Sequence, residues 1–380
     1  MSAEKRETFP FHGTEQVFTI CRFREEPPLL FPDSEQIQRI RKADPVLLDQ
    51  LDSMGIFPGA EENPEEFALR VERLRRAYES FAEELDDSSW ENSSSAALIS
   101  SGASTDPVST VSTNSPSPAS PLTPGSSAAD VCDKGIFSGA RPIPAEILQE
   151  AAGKTEALFA FSIDWVPAFF LSRGLGLLWG GCTLVDENAV SVFVIRKNFA
   201  VKRRWFIYDR AELLAHEICH VARAPLEDDS FEELFAYMTS SSPFRKYAGN
   251  CFQKDRDAVL FLLPVLLLLG VQTAVFLFGV SLPVLPFWIL IFLWPLYLFL
   301  RNLRSRRTYF QACRALEENG VSVPAAVLFR STAEEIMQIA SYCSHPQDLP
   351  DWMARSAENK LRWQIILRKF INHEETSEKE

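Results

Sequence analysis

The sequence predicts an α+β chain with a two-helix transmembrane hairpin and helical extensions, and three observations predict it. Two uncharged apolar runs stand almost back to back at 258–280 and 282–300. Short β-branched and aromatic segments between 183 and 208 lead into a helix with its own start signal at Asp209. Helical periodicity recurs at 64–85 and again at 144–161.

Composition bounds the rest. A net charge of −13 and a pI near 5.1 argue against nucleic acid as a partner, because affinity for a phosphate backbone comes chiefly from Lys and Arg releasing counterions. No RNA-recognition, zinc-finger or basic-region pattern offsets that balance. The seven cysteines, at 21, 132, 182, 219, 251, 313 and 343, form no Cys-x-x-Cys pair, which is the usage expected of reduced thiols in a reducing compartment. The first residues, Met1 to Arg6, lack the apolar run of a signal peptide, so membrane insertion is expected from within the chain.

Residues 1–57 mix short apolar patches with prolines and define no element. The N-terminal region, 1–87, closes with an amphipathic helix at 64–85, where Phe67, Val71, Leu74, Tyr78, Phe81 and Leu85 recur at alternating spacings of four and three. So short a heptad pattern predicts packing onto its own domain rather than a coiled coil. Residues 88–131 are rich in Ser, Thr, Pro and Gly, with too little apolar side chain to offset the entropy of ordering a backbone, which predicts a disordered linker.

A folded domain is expected over 136–250. Its apolar stretch at 165–179 is flanked by Asp164 and broken by Arg173, so it reads as buried core rather than a third membrane span. Gly174, Gly176, Gly180 and Gly181 lack dinucleotide-loop spacing and no Rossmann strand precedes them. Strands are expected at 183–185 and 189–196 around an Asp-Glu-Asn turn, followed by a short aromatic one at 205–208. The 189–196 segment is either internal or an edge that takes an extended peptide through main-chain hydrogen bonds.

The runs at 258–280 and 282–300 are each long enough to cross a hydrocarbon core of about 30 Å. The connection between them is so short that it forces an antiparallel pair with both ends on one side. Lys254 and Arg256 precede the first run, Arg301, Arg304, Arg306 and Arg307 follow the second, and the turn has no charge. The positive-inside rule then places both soluble parts, including a helical C-terminal region at 301–380, in the cytoplasm, with the lipid bilayer as a partner.

The chemistry lies on the helix that starts at Asp209, where an acceptor is followed three residues later by Glu212. Leu213, Leu214, Ile218 and Val221 supply its apolar faces and Pro225 stops it. His216 and His220 fall one turn apart with Glu217 between them, in the motif His-Glu-Ile-Cys-His. At this spacing two imidazoles share a face and reach one divalent ion at about 2.0–2.1 Å, leaving Glu217 to take a proton from activated water. A catalytic site of this kind needs a third protein ligand. The metzincin continuation is absent, because Arg223 and Leu226 stand where its glycine and third ligand would be. Acidic residues crowd the next stretch instead, at Glu227, Asp228, Asp229, Glu232 and Glu233. Cys219 points round the helix from the histidines and reads as a packed thiol.

The pair His216-Glu217-x-x-His220 and Glu233-Leu-Phe-Ala236-Tyr237 resembles the gluzincin group of HExxH zinc metallopeptidases, over about 189–238 and at the level of the clan. The resemblance implies a zincin-like catalytic domain, a Zn²⁺ cofactor, Glu233 as third ligand on a second helix, and water-mediated endoproteolysis of a peptide or protein with Glu217 as general base. On the residues alone, Glu232 and Asp229 are alternative ligands, and Ser230 to Glu233 also has the form of a capping box in which Glu233 would bond backbone. Tyr237 and His345 are both candidates for an oxyanion donor. The competing class is a non-catalytic membrane scaffold that recruits partners through the 64–85 helix and the linker, with the motif incidental. A domain that binds zinc without turnover is a third.

Overall fold

The computed structural model describes residues 31–87, 140–171, 180–185, 190–279 and 283–371. The expected linker at 88–131, the turn at 186–188, and Gly174 and Gly176 lie outside them.

Three helices open the described chain: α1 (Ser34–Arg41), α2 (Pro45–Ser53) and α3 (Pro64–Asp87). Each starts on a side-chain acceptor. Asp33 takes the Gln36 N–H, Asp44 those of Val46 and Leu47, and Asn63 those of Glu65 and Glu66. Of the stripe predicted on α3, Phe67, Val71 and Tyr78 are buried. The Tyr78 hydroxyl accepts from Ser191 N at 3.0 Å and donates to Ser191 O at 2.9 Å, which docks α3 against the 136–250 segment.

A small sheet follows. Its strands are β1 (Arg141–Pro142), β2 (Ala168–Leu171), β3 (Gly181–Val185) and β4 (Ser191–Arg196), with α4 (Ala145–Phe159) between the first two. The order is β1-β2-β4-β3, with β2 parallel to β4 and the other pairs antiparallel. Val192 to Ile195 are all buried, so β4 is apolar on both faces, as a covered interior strand must be. Of the two alternatives for 189–196 the internal one is therefore realised, and among the described residues β3 and the two-residue β1 stand at the edges of the sheet. The aromatic segment at 205–208 is not a strand. The chain reverses within it, from β5 (Arg204–Trp205) to β6 (Tyr208–Asp209), with Phe206 at φ 53° on the tip. Aromatic composition carried the strand signal, while the reversal lacks the Gly or Asn that normally announces it.

The remaining elements are helical. In order they are α5 (Arg210–Arg223), α6 (Glu232–Met238), α7 (Pro243–Ala248), α8 (Asp255–Phe278), α9 (Leu285–Glu318), α10 (Pro324–Phe329), α11 (Ala333–Ser341), α12 (Leu349–Asn359) and α13 (Leu361–Phe370). The segments 136–250 and 301–380, read from the sequence as a folded domain and a helical C-terminal region, contribute to one apolar core that includes Phe159, Phe193, Ile218, Phe235, Phe329 and Trp363. Buried ion pairs tie its margins, with Arg330 on Asp52 at 2.6 Å and Arg362 on Glu335 at 2.9 Å.

Helices α8 and α9 are long and apolar enough to cross a membrane, and only 11 % of the most apolar stretch of each is buried by protein. They lie side by side and antiparallel. Asp257, near the start of α8, accepts from Gln253 N and Lys254 N at 3.0 Å each and from Arg301, which follows the apolar part of α9. Helix α9 then continues past the apolar stretch to Glu318 and carries Tyr309, Ala312, Ala315 and Leu316 into the common core.

Candidate metal centre

Helix α5 is capped by Asp209, whose carboxylate accepts from Ala211 N at 3.1 Å and Glu212 N at 3.4 Å. Glu212 does not complete a capping box. It is buried and accepts from Ser240 Oγ at 3.0 Å and Ser241 N at 2.9 Å, with Arg245 3.4 Å away. The link between α6 and α7 is thereby held against the first turn of α5. At the other end Arg223, fully buried, reaches Asp228 at 3.2 Å and the Phe329 carbonyl and lies over the Phe235 ring. Those contacts fold the chain back so that α6 lies alongside α5. Leu214, Ala215, Ile218, Cys219 and Ala222 face the core, which leaves His216, Glu217 and His220 half-buried on the opposite side, with the two histidines toward α6.

The three expected ligands converge there. Ligand atoms of His216, His220 and Glu233 all lie within 4.8 Å of one another. The two Nε2 atoms are 3.1 Å apart, Glu233 Oε2 is 3.8 Å from His216 Nε2, and Oε1 is 3.7 Å from His220 Nε2. Four-coordinate ligands at about 2.0–2.1 Å from an ion stand roughly 3.4 Å apart along each tetrahedral edge. The observed edges bracket that spacing, so the group could hold a metal ion.

The outer nitrogen of one ring is occupied: His220 Nδ1 is 2.9 Å from Glu232 Oε1. The Ala236 backbone carbonyl stands as an acceptor beside the His216 ring. An acceptor on the far side of the His220 ring holds an N–H there, so that the neutral ring would present its Nε2 lone pair inward, the arrangement that metal-binding histidines need. Burial, and then the charge of His220, hold His216 well below the usual imidazole range. For His220 burial opposes the charge, yet the Glu232 hydrogen bond and the Glu217 and Glu233 carboxylates outweigh it and push the pKa up to about 9. Binding of a cation here would displace that proton.

Glu217 faces β3. Its Oε2 accepts from Thr183 Oγ1 at 2.6 Å, and its charge adds to burial in pushing the neighbouring Cys182 thiol up to about 12. Tyr237 places its ring 4.7 Å from the His216 ring, edge to face, and its phenol is pushed up to about 12 by burial and then by Glu233. It stays a neutral O–H donor at ordinary pH. Gly249 backs that ring so closely that a Cβ there would come within 2.1 Å of Tyr237 Cγ. Beside Glu233 a cleft of about 430 Å³ opens, lined by Asp229, Glu232, Glu233, Gln253, Lys254 and Arg256.

Each candidate from the sequence now has a place. His216, His220, Glu217, Glu233 and Tyr237 gather at one point, whereas Glu232 serves His220 from the outside and Asp229 stands exposed, 3.9 Å from Lys254. The capping-box alternative for Glu233 is not used, since α6 begins after Phe231 with no side-chain cap. His345 is exposed next to Pro346, whose carbonyl bonds Asn319, and lies outside the His–His–Glu group. Cys219 is a fully buried thiol. Sequence reasoning missed Thr183, Ala236 as an acceptor, and Gly249. Only the sheet register and the helix contacts bring these to the site, and nothing local in the sequence marks them. Comparison of the chain with family models, with curated proteins and with solved structures finds no match, so function is argued from the site itself.

Proposed function

We propose that this chain is a membrane-anchored, zinc-dependent peptidase of gluzincin type, hydrolysing internal peptide bonds of a polypeptide. The observation that carries it is the convergence of the two histidine Nε2 atoms of α5, the helix that also presents Glu217, with the Glu233 carboxylate of α6. Two imidazoles and one carboxylate suit Zn²⁺ and leave one position open, and a zinc ion so bound supplies Lewis-acid activation of water and of a carbonyl. With one Glu217 oxygen engaged by Thr183, the other is free to accept a proton from water and return it to the leaving amine. Tyr237 donates its O–H to the oxyanion. The β3 edge pairs with an extended substrate strand.

Helices α8 and α9 span the bilayer with both soluble regions in the cytoplasm. Their exposed apolar surface and the arginines at one end support this.

The test uses full-length protein purified without chelators. Metal content is read by mass spectrometry of the elements, and cleavage on a proteome-derived peptide library. Wild type should hold one equivalent of zinc, His220→Ala should lose it, and Glu217→Gln should keep it while cleavage falls by about 10²–10⁴-fold. A wild type without stoichiometric metal, or a Glu217→Gln variant at full rate, overturns the proposal.

A further inference from the structure

The tip of the β5–β6 hairpin is unfavourable twice over. Phe206 is 71 % exposed and Ile207 59 % exposed, on a chain reversal where water would favour polar residues. Phe206 also occupies φ 53°, a region costly for a bulky side chain and usually given to glycine. Both penalties recur in one place, which is what a surface built for an apolar partner shows.

The tip is not isolated. Arg245 Nη1 donates to the Ile207 carbonyl at 2.9 Å, fixing α7 beside the hairpin. On α7, Phe244 is 76 % exposed, and three residues on, Tyr247 sets its ring against Phe299 of α9 at 6.3 Å. Asn302 Nδ2 donates to Tyr247 O at 2.8 Å and Arg306 to Lys246 O at 2.8 Å. Phe299 is the second-last apolar residue before the charges begin at Arg301. Apolar surface therefore continues from the membrane helix, through Tyr247, to Phe244 and the hairpin tip, at the level where hydrocarbon gives way to headgroups. Exposed cations flank it at Lys202, Arg204 and Lys246.

We propose that the β5–β6 tip and α7 form a lipid-contact surface that seats Phe206, Ile207 and Phe244 at the headgroup–acyl boundary and sets the flanking cations on anionic headgroups. The inference rests on α8 and α9 being membrane-spanning and is independent of the peptidase chemistry. A lipid partner accounts for features a protein partner does not require, namely continuity with the apolar helix and a basic rim. The surface would hold the catalytic face at a fixed height and tilt over the bilayer.

The test places a photoreactive benzoyl-phenylalanine at 206 or 244, each replacing an aromatic residue, in full-length protein reconstituted with alkyne-tagged phosphatidylglycerol. Position 276, an 86 % exposed phenylalanine of α8, reports lipid contact of the hairpin, and position 337, an exposed methionine of α11, reports background. Lipid adducts at 206 and 244 several-fold above 337, together with an adduct at 276, are expected. An adduct at 276 with 206 and 244 at background overturns the lipid-contact surface and leaves the membrane hairpin standing. Silence at all three overturns both. Adducts at 206 or 244 to protein instead of lipid assign the surface to a protein partner and overturn the inference.

Discussion

Glu217 has two carboxylate oxygens, and the Thr183 hydroxyl holds one of them at 2.6 Å. A short hydrogen bond to a charged acceptor fixes the carboxylate's rotation as well as its position, and such bonds contribute about 1.5–3 kcal/mol. Thr183→Val keeps the shape and β-propensity of the strand residue but removes the donor. Turnover should fall about tenfold or more, with bound metal unchanged, and Thr183→Ser should restore most of it. Equal losses in valine and serine variants would show that Thr183 acts through the strand and not through Glu217. Glu232 works on the other side of the site, on His220 Nδ1 at 2.9 Å. Losing the outer partner of a metal-binding histidine typically costs 10–100-fold in affinity. Glu232→Ala should therefore weaken metal binding by about that factor in a chelator-competition titration, and an unchanged affinity would return Glu232 to a surface role.

Helix α6 has only two turns and no cap, so its position comes from what it touches. Phe235 and Ala236 are completely buried against the core, and Tyr237 is wedged between His216 and Gly249. Gly249→Ala would drive a methyl into the Tyr237 ring, since the added carbon would stand 2.1 Å from Cγ, and the ring must move toward His216 or α6 must shift. Overpacking of this kind costs about 1–3 kcal/mol. Thermal unfolding should show that loss together with weaker metal binding, and a variant that lost stability alone would separate the ring from the site. The motif helix was legible because its periodicity, Asp209 cap and Pro225 stop all lie within one window. The Glu233 helix was legible by its pattern, although the sequence left open whether Glu233 faced backbone or metal. In the structure α6 starts without a side-chain cap, and the Glu233 carboxylate stands beside the two imidazoles in a group that could hold a metal ion. Thr183 and Gly249 were not legible. Each depends on contacts that no local pattern encodes, in the β3–β4 register for one and the return of the chain from α6 for the other. The hairpin tip at Phe206 went unseen for a different reason, since its residues announce a strand and its backbone does not follow them.

Among the described residues, α2 and the last helices are stapled together by charge. Arg330 and Lys369 both hold Asp52 at 2.6 Å, bringing α2 against the C-terminal helices. Glu335 on α11 accepts from Arg362 at 2.9 and 3.0 Å, from Trp363 Nε1 at 2.9 Å and from the Thr332 N–H. Burial alone would raise the Glu335 pKa, but Arg362 and these donors bring it down to about 2 from an ordinary 4.5. A carboxylate depressed in the folded state adds stability that is fully present above its unfolded pKa and is lost as pH falls through the folded one. The window for Glu335 is therefore pH 4.5 down to 2, and the total at stake is about 3 kcal/mol, at about 1.4 kcal/mol per unit. Because α11 and α13 flank the core that also seats α5, acid should loosen this clasp before the apolar core itself gives way. Unfolding of the detergent-solubilised protein, followed by tryptophan fluorescence across that window, should show stability falling with acid in the wild type. Glu335→Gln should start lower at neutral pH and fall less steeply. Parallel curves for the two proteins would mean that the carboxylate is not the group that titrates, and that Asp52, also held below its usual range against its burial by Arg330 and Lys369, carries the acid sensitivity instead.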